Sequence, residues 1–242
     1  MSNLAATGAH EPLISPRFLY RLTACAVVLA LATAGLNLAS RQLGDRLALA
    51  GHTTSTTLRH QLIGPDRIVM ADNYIRMEDQ RRDGVTERLD LYATWPDMTG
   101  YTAENRRAFD DVTHPEGLIF LQLSQSTMSR DMSGRLEPIY RQLFEGTPSP
   151  AAAGLTLHHL KPGTGYGDDV FYTGKLDNGD DYVVRCLAPG AGSEVTGADC
   201  MRDIHIGNDL LVLYRFSARL LPQWQAIEHK VSSFVRARLN RS

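Results

Sequence analysis

The hydrophobic pattern of the chain changes period along its length, and each change marks an element. Residues 22–38 read LTACAVVLALATAGLNL, an apolar run without a charge, with Arg17 and Arg21 before it and Arg41 and Arg46 after it. Crossing a bilayer takes roughly 17–25 mostly apolar residues. Residues 17–40 meet that length if Arg21 snorkels to the interface, so the pattern predicts a transmembrane anchor. Two other readings compete. Arg17 and Arg21 with the core 23–31 and the small residues Ala32-Thr33-Ala34 form a secretory signal with a cleavage site. Leu22-Thr23-Ala24-Cys25 has lipobox composition, but its apolar core follows the cysteine instead of preceding it. A soluble core helix is disfavoured because no polar face interrupts the run.

Residues 1–16 are small and polar, which predicts a disordered tail. Residues 41–64 predict a stalk: a loose helical spacing gives way to His52-Thr53-Thr54-Ser55-Thr56-Thr57, whose β-branched and hydroxyl side chains favour helix poorly. The folded domain is expected over 65–242. Within it, 73–78 and 87–95 alternate apolar and polar residues around Arg82-Asp83-Gly84, which predicts a β-hairpin. Pro96 ends the second strand because it has no N–H for the ladder.

Thr102 is the expected N-cap of a short helix over 103–112. Residues 118–123 (LIFLQL) are apolar on both faces through Phe120 and predict a central strand. A helix is expected from Pro138 to residue 144, then a linker over 146–154. Five strands follow, at 155–160, 169–176, 182–187, 204–206 and 209–216, with Asn178-Gly179 as a type I′ turn. The chain closes in a helix over 221–239 whose stripe Trp224, Ile227, Val231 and Phe234 should pack on the sheet. Hairpins in place of βαβ crossovers indicate an α+β fold: a mostly antiparallel sheet with helices packed on one face, preceded by a single transmembrane helix.

Composition adds constraints. The chain has 242 residues and a net charge of −2, so no global basic footprint points to nucleic acid. Of the cysteines, Cys25 lies in the apolar run, whereas Cys186 and Cys200 share the domain. They predict a disulfide closing the loop between two strands, and with it an oxidising compartment. Loop entropy makes such a bridge worth roughly 3 kcal/mol. The flanking arginines do not decide orientation by the positive-inside rule; the cysteine pair places the domain outside the cytoplasm, at the inner membrane.

Motifs for chemistry are sparse. Gly163-Thr164-Gly165-Tyr166-Gly167 precedes an expected strand, not the helix a phosphate loop needs. Asp177-Asn178-Gly179-Asp180-Asp181 lacks the closing Glu of a calcium loop. His158 and His159 are adjacent in a strand and point to opposite faces. No metal, cofactor or catalytic residue is therefore assigned. Ser126, His205 and Asp203 would serve a hydrolase if they met in a cleft. Arg202, Asp203 and Arg215 read as structural, with Asp203 or Asp90 supplying the carboxylate of a buried pair. Trp95 and Tyr101 bracket a possible recognition loop, against the alternative that they cap the core. The expectation is a membrane-anchored binding or accessory protein of the cell envelope, in contact with the bilayer and a protein partner. A membrane-tethered hydrolase is the alternative.

Overall fold

The computed structural model describes residues 17, 20–33, 51–188 and 194–239. The chain divides into two units, Met1–Ala50 and Gly51–Ser242.

In the first unit residues 20–33 form helix α1, exposed throughout. Tyr20, Leu22, Val27, Val28, Leu29 and Leu31 are exposed, and the Thr33 hydroxyl donates to the Leu29 carbonyl at 2.8 Å. No helix among the described residues is long and apolar enough to cross a membrane. The expected span over 17–40 extends past α1: residues 18–19 and 34–40 lie outside the described residues, as do the expected tail 1–16 and the first part of the stalk, 41–50.

The second unit is α+β. Strands β1 (Leu58–Ile63), β2 (Asp66–Ala71) and β3 (Gly84–Val85) form a small sheet in the order β2-β1-β3. Strands β4 (Arg88–Thr94), β5 (Leu118–Gln125), β6 (Phe144–Pro150), β7 (Thr156–Leu160), β8 (Asp169–Lys175), β9 (Asp181–Leu187), β10 (Cys200–Ile206) and β11 (Leu210–Phe216) form the main sheet. Its order is β4-β5-β11-β10-β9-β8-β7-β6, with antiparallel neighbours throughout. The helices are α2 (Arg106–Asp110), α3 (Arg141–Leu143) and α4 (Trp224–Arg236).

Helix α4 lays Trp224, Ile227, Val231, Phe234 and Val235 on one face of the main sheet, against the core that includes Leu121, Val184, Val212 and Phe216. The stripe read from sequence is the buried face. Helices do not keep to one side, however. A π turn at Leu136–Tyr140 leads into α3, and Met132, Leu136 and Tyr140 pack with Phe171 and Val183 in a second cluster. Val183 and Val184 are consecutive in β9 and point oppositely, so this cluster covers the other face. The turn is wide because Pro138 has no N–H; the Arg135 carbonyl accepts from both Ile139 and Tyr140 at 3.1 Å.

The main sheet is nearly divided between β9 and β10. Only Cys200↔Cys186 and Met201↔Arg185 are in register there, and the disulfide Cys186–Cys200 sits at this closed end. Beyond it the strands part, and Arg202 bridges the gap. Its guanidinium donates to the Val183 carbonyl and to Ser133 Oγ, both at 2.9 Å. It also pairs with Glu228 of α4 at 2.9 and 3.2 Å, while Tyr214 Oη donates to Glu228 at 2.6 Å. The Arg202 side chain is 2% exposed and lies over the Tyr182 ring at 4.5 Å. Carbonyls that lose a ladder partner must find another donor; here a buried arginine supplies one.

Other expectations shift. Strand β1 occupies part of the expected stalk: Gln61 and Ile63 are buried, and Arg59 grips buried Asp72 at 2.7 Å, so the folded unit starts before residue 65. Residues 73–78 are not a strand. Asp72–Tyr74 is a 3-10 turn, and only Ile75 bridges β4, at Leu91. Gly84–Val85 pairs with β1 instead, and the long partner of β4 is β5. Thr102 and Asn105 exchange backbone-to-side-chain bonds at 2.7 and 3.2 Å, the reciprocal pattern of a capping box, around a turn that leads into the helix; the helix itself is shorter than expected, Arg106–Asp110. The expected linker contains β6, an edge strand, the place where Pro148 and Pro150 are tolerated. In the β8–β9 hairpin Gly179 has φ 87° while Asn178 stays at negative φ, so the turn is not type I′.

Candidate functional site

On the face of the main sheet opposite α4, strands β4, β5 and β11 form the floor of a cleft of about 620 Å³. Alternation and register set the floor. Arg215, Phe120 and Tyr92 share one cross-strand row; Leu213, Gln122 and Asp90 share the next. One wall is α2 and the turn through His114 and Pro115; the other is the segment Glu194–Ala198, which ends the loop closed by the disulfide.

The walls are pinned. Asp199, itself buried, accepts from Thr196 N at 2.9 Å, Thr196 Oγ1 at 2.6 Å and Ala218 N at 3.3 Å. Gly197 approaches so closely that a Cβ there would sit 3.2 Å from Phe120 Cε2 and 3.3 Å from the Pro115 carbonyl. Beside the floor, Tyr92, Tyr101, Phe109 and His52 make an aromatic cluster; His52 stacks on Tyr101 at 4.8 Å and meets Tyr92 Oη at 3.0 Å. Burial pushes the Tyr92 phenol up to about 12 and lowers the His52 imidazole.

Charges in the cleft sort into satisfied and free. Asp90 accepts from Arg88 Nε at 2.8 Å and Gln80 Nε2 at 3.0 Å. The hydrogen bond to Asp90 raises the Arg88 pKa. Asp111 is held down at about 2, first by the Thr113 hydroxyl and next by His114. Arg76 lies over the Phe120 ring at 5.5 Å, and Arg215 faces Phe120 across the β11–β5 ladder. Among the described residues neither Arg76 nor Arg215 has a carboxylate within ion-pair distance. The expected pairing of Arg215 is corrected: Asp203 is taken by Arg135, and Asp90 by Arg88.

The structure brings two of the three hydrolase candidates together. Ser126 Oγ lies 2.9 Å from His205 Nε2. Asp203 shares the outward face of β10 with His205, yet its carboxylate binds Arg135. Ser126 Oγ also donates to the Met128 carbonyl at 2.7 Å and accepts from Met128 N at 3.3 Å, which is a local turn. Among the described residues no acid is hydrogen-bonded to the His205 imidazole, so the arrangement is a pair and not a relay.

A known structure shares this architecture. The structure of Smlt3025, an immunity protein of the Stenotrophomonas maltophilia type IV secretion system, matches with a TM-score of 0.54 at 16% identity, over 79% of this chain and 96% of that one. By fold, the chain is similar to an immunity protein. The crystal structure of the Neisseria meningitidis iron-regulated outer membrane lipoprotein FrpD matches with a TM-score of 0.47 at 12% identity, over 78% and 96% of the two chains. No family model matches the chain, and no curated protein matches its sequence. At these identities the likeness is one of fold.

The expected recognition loop resolves into two environments. Tyr101 is 2% exposed, inside the aromatic cluster, and so belongs to the core. Trp95 is half-buried; its Nε1 donates to Gln223 at 3.0 Å, and Lys230 stands 5.5 Å over its ring. Among the described residues no group of three or more His, Cys, Asp or Glu is placed to hold a metal ion. Sequence reading missed Arg76, Phe120 and the Arg215 environment. One signal was present: Phe120 is aromatic on a strand face it shares with Gln122 and Ser124.

Proposed function

We propose that this protein is a binding protein of the cell envelope, tethered by a single membrane helix over 17–40, with the unit Gly51–Ser242 outside the cytoplasm. In this reading it works as an immunity-type binder, receiving part of a protein partner in the cleft over β4, β5 and β11. The observation that carries the reading is a preformed cleft in which Arg76 and Arg215 flank Phe120 without carboxylate partners among the described residues. Clefts that set converging polar groups beside apolar surface are a usual place for a ligand. The exposed apolar side chains of α1 support the tether, and the disulfide supports an oxidising compartment. The shared fold of an immunity protein is compatible with the same role.

Crosslinking of intact membranes followed by purification of the full chain tests it. The expected result is a discrete protein adduct that disappears in Arg215→Glu, with the chain retained in the membrane through carbonate extraction. An adduct unchanged by Arg215→Glu contradicts use of the cleft, and release by carbonate contradicts the tether. The Ser126–His205 contact favours a second reading, a tethered hydrolase. It predicts turnover of an activated ester that Ser126→Ala and His205→Gln each abolish; equal background rates in all three proteins end that reading.

A further inference from the structure

The geometry points to a carboxylate as the group received in the cleft: we infer that Arg76 and Arg215 take an acidic side chain of the partner protein, while an apolar neighbour of that residue lies on Phe120. The inference rests on the binding reading above and names the chemistry of its partner.

Charge balance within the cleft leads to it. Its lining holds Arg76, Arg88 and Arg215 against Asp90, Asp111 and Glu194. Arg88 and Asp90 satisfy each other, and Asp111 is occupied by Thr113 and His114. That leaves two guanidiniums against Glu194, which is exposed. Arg76 is already set over the Phe120 ring. A guanidinium held over a ring by its charge keeps N–H groups to donate, in the fork geometry that matches a carboxylate. The pre-set ring contact lowers the ordering cost that a free arginine would meet on binding.

Size and polarity narrow the choice. A cleft of about 620 Å³ has room for one or two side chains. Phe120, Leu213, Ala108, Val112 and Pro115 supply an apolar surface beside the charges. A phosphate would use the arginines and leave that surface wet. An acidic residue next to an aromatic or aliphatic one uses both.

Arginine footprinting on the full chain in detergent tests the inference. Phenylglyoxal modifies accessible guanidiniums, and mass mapping reads each site. The probes are N-acetyl-Phe-Glu-amide, its Phe-Gln counterpart and inorganic phosphate. The Glu probe should slow modification of Arg76 and Arg215 at least fivefold, leaving exposed Arg236 unchanged; the Gln probe and phosphate should not. Arg215→Gln should weaken protection of Arg76 roughly tenfold, the effect of losing a charge-assisted hydrogen bond. Equal protection by the Glu and Gln probes, equal protection by phosphate, or none by any probe overturns the inference. If the footprint fails while the membrane adduct still depends on Arg215, the carboxylate is wrong and the binding reading stands. If no membrane adduct forms at all, the binding reading fails.

Discussion

Arg202 is the most consequential side chain for stability, because it substitutes for a missing stretch of β9–β10 ladder. The perturbation is a double-mutant cycle of Arg202→Met and Glu228→Leu. Arg202→Met strands the Glu228 carboxylate, whose side chain is 12% exposed, and removes the donor at the Val183 carbonyl. Breaking a buried pair by removing one partner costs roughly 3–5 kcal/mol. Glu228→Leu leaves a guanidinium unpaired at 2% exposure, so a similar loss is expected. In the double variant no charge is stranded. What remains is the Val183 carbonyl without its donor and the buried Tyr214 hydroxyl without its acceptor, each worth roughly 1–3 kcal/mol. The singles should therefore sum to more than the double. Urea unfolding of the full chain in detergent measures this. Its probe is the fluorescence of Trp224, which is buried against Tyr182 at 4.3 Å. At this chain length each kcal/mol moves the thermal midpoint about 2–4 °C, so each single variant should fall by roughly 10 °C. Additivity within about 0.5 kcal/mol would refute the coupling and the bridging role assigned to Arg202.

Other predictions follow from the same geometry. The double variant Cys186→Ser with Cys200→Ser should lose roughly 3 kcal/mol against the oxidised protein in urea titrations; mass mapping that finds both thiols free in the cell would remove the argument for an oxidising compartment. Gly197→Leu should cost roughly 1–3 kcal/mol by overpacking against Phe120 and the rigid Pro115 carbonyl, whereas an unchanged urea midpoint would show that the wall is loose. Burial lowers the imidazole pKa of both His52 and His158 in the folded state. The unfolded chain then binds more protons just below pH 6.5, so stability should fall as pH drops through that value and level off below the folded pKa values. Replacing both histidines by Phe should flatten that limb, and a limb that persists would place its origin elsewhere.

Much of the fold is legible in local pattern. Strands β10 and β11 alternate visibly because one side packs on a core, and the α4 stripe has a helical period because one face is buried. Errors gather where tertiary partners override local signals. Residues 73–78 alternate, but Asp72 is locked by Arg59 and Ser55, leaving Ile75 to make a single bridge. The stretch 146–154 has linker composition, yet its prolines fit an edge strand. The site was less legible than the fold. Its cysteine pair was readable because two thiols in one domain constrain each other. Arg76, Phe120 and Arg215 are 44 and 95 positions apart along the chain (120 − 76 and 215 − 120), and only the β5–β11 register and the turn before β3 bring them to one cleft. Ser126 and His205 do meet as the candidate hydrolase required, but the third member is diverted by Arg135, a partner whose distance in sequence hid it.

The central claim is that the cleft over β4, β5 and β11 receives a protein partner at the membrane. Photo-crosslinking from defined positions in the intact full-length chain tests this most directly. A photoreactive residue replaces Leu213 on the cleft floor, and in a separate protein replaces Glu145 on β6 at the far edge of the sheet. The predicted result is a single protein adduct from position 213, lost when Arg76 and Arg215 are both changed to Gln, and no adduct from position 145. Adducts of equal yield from both positions, or an adduct at 213 that survives loss of both arginines, would contradict it.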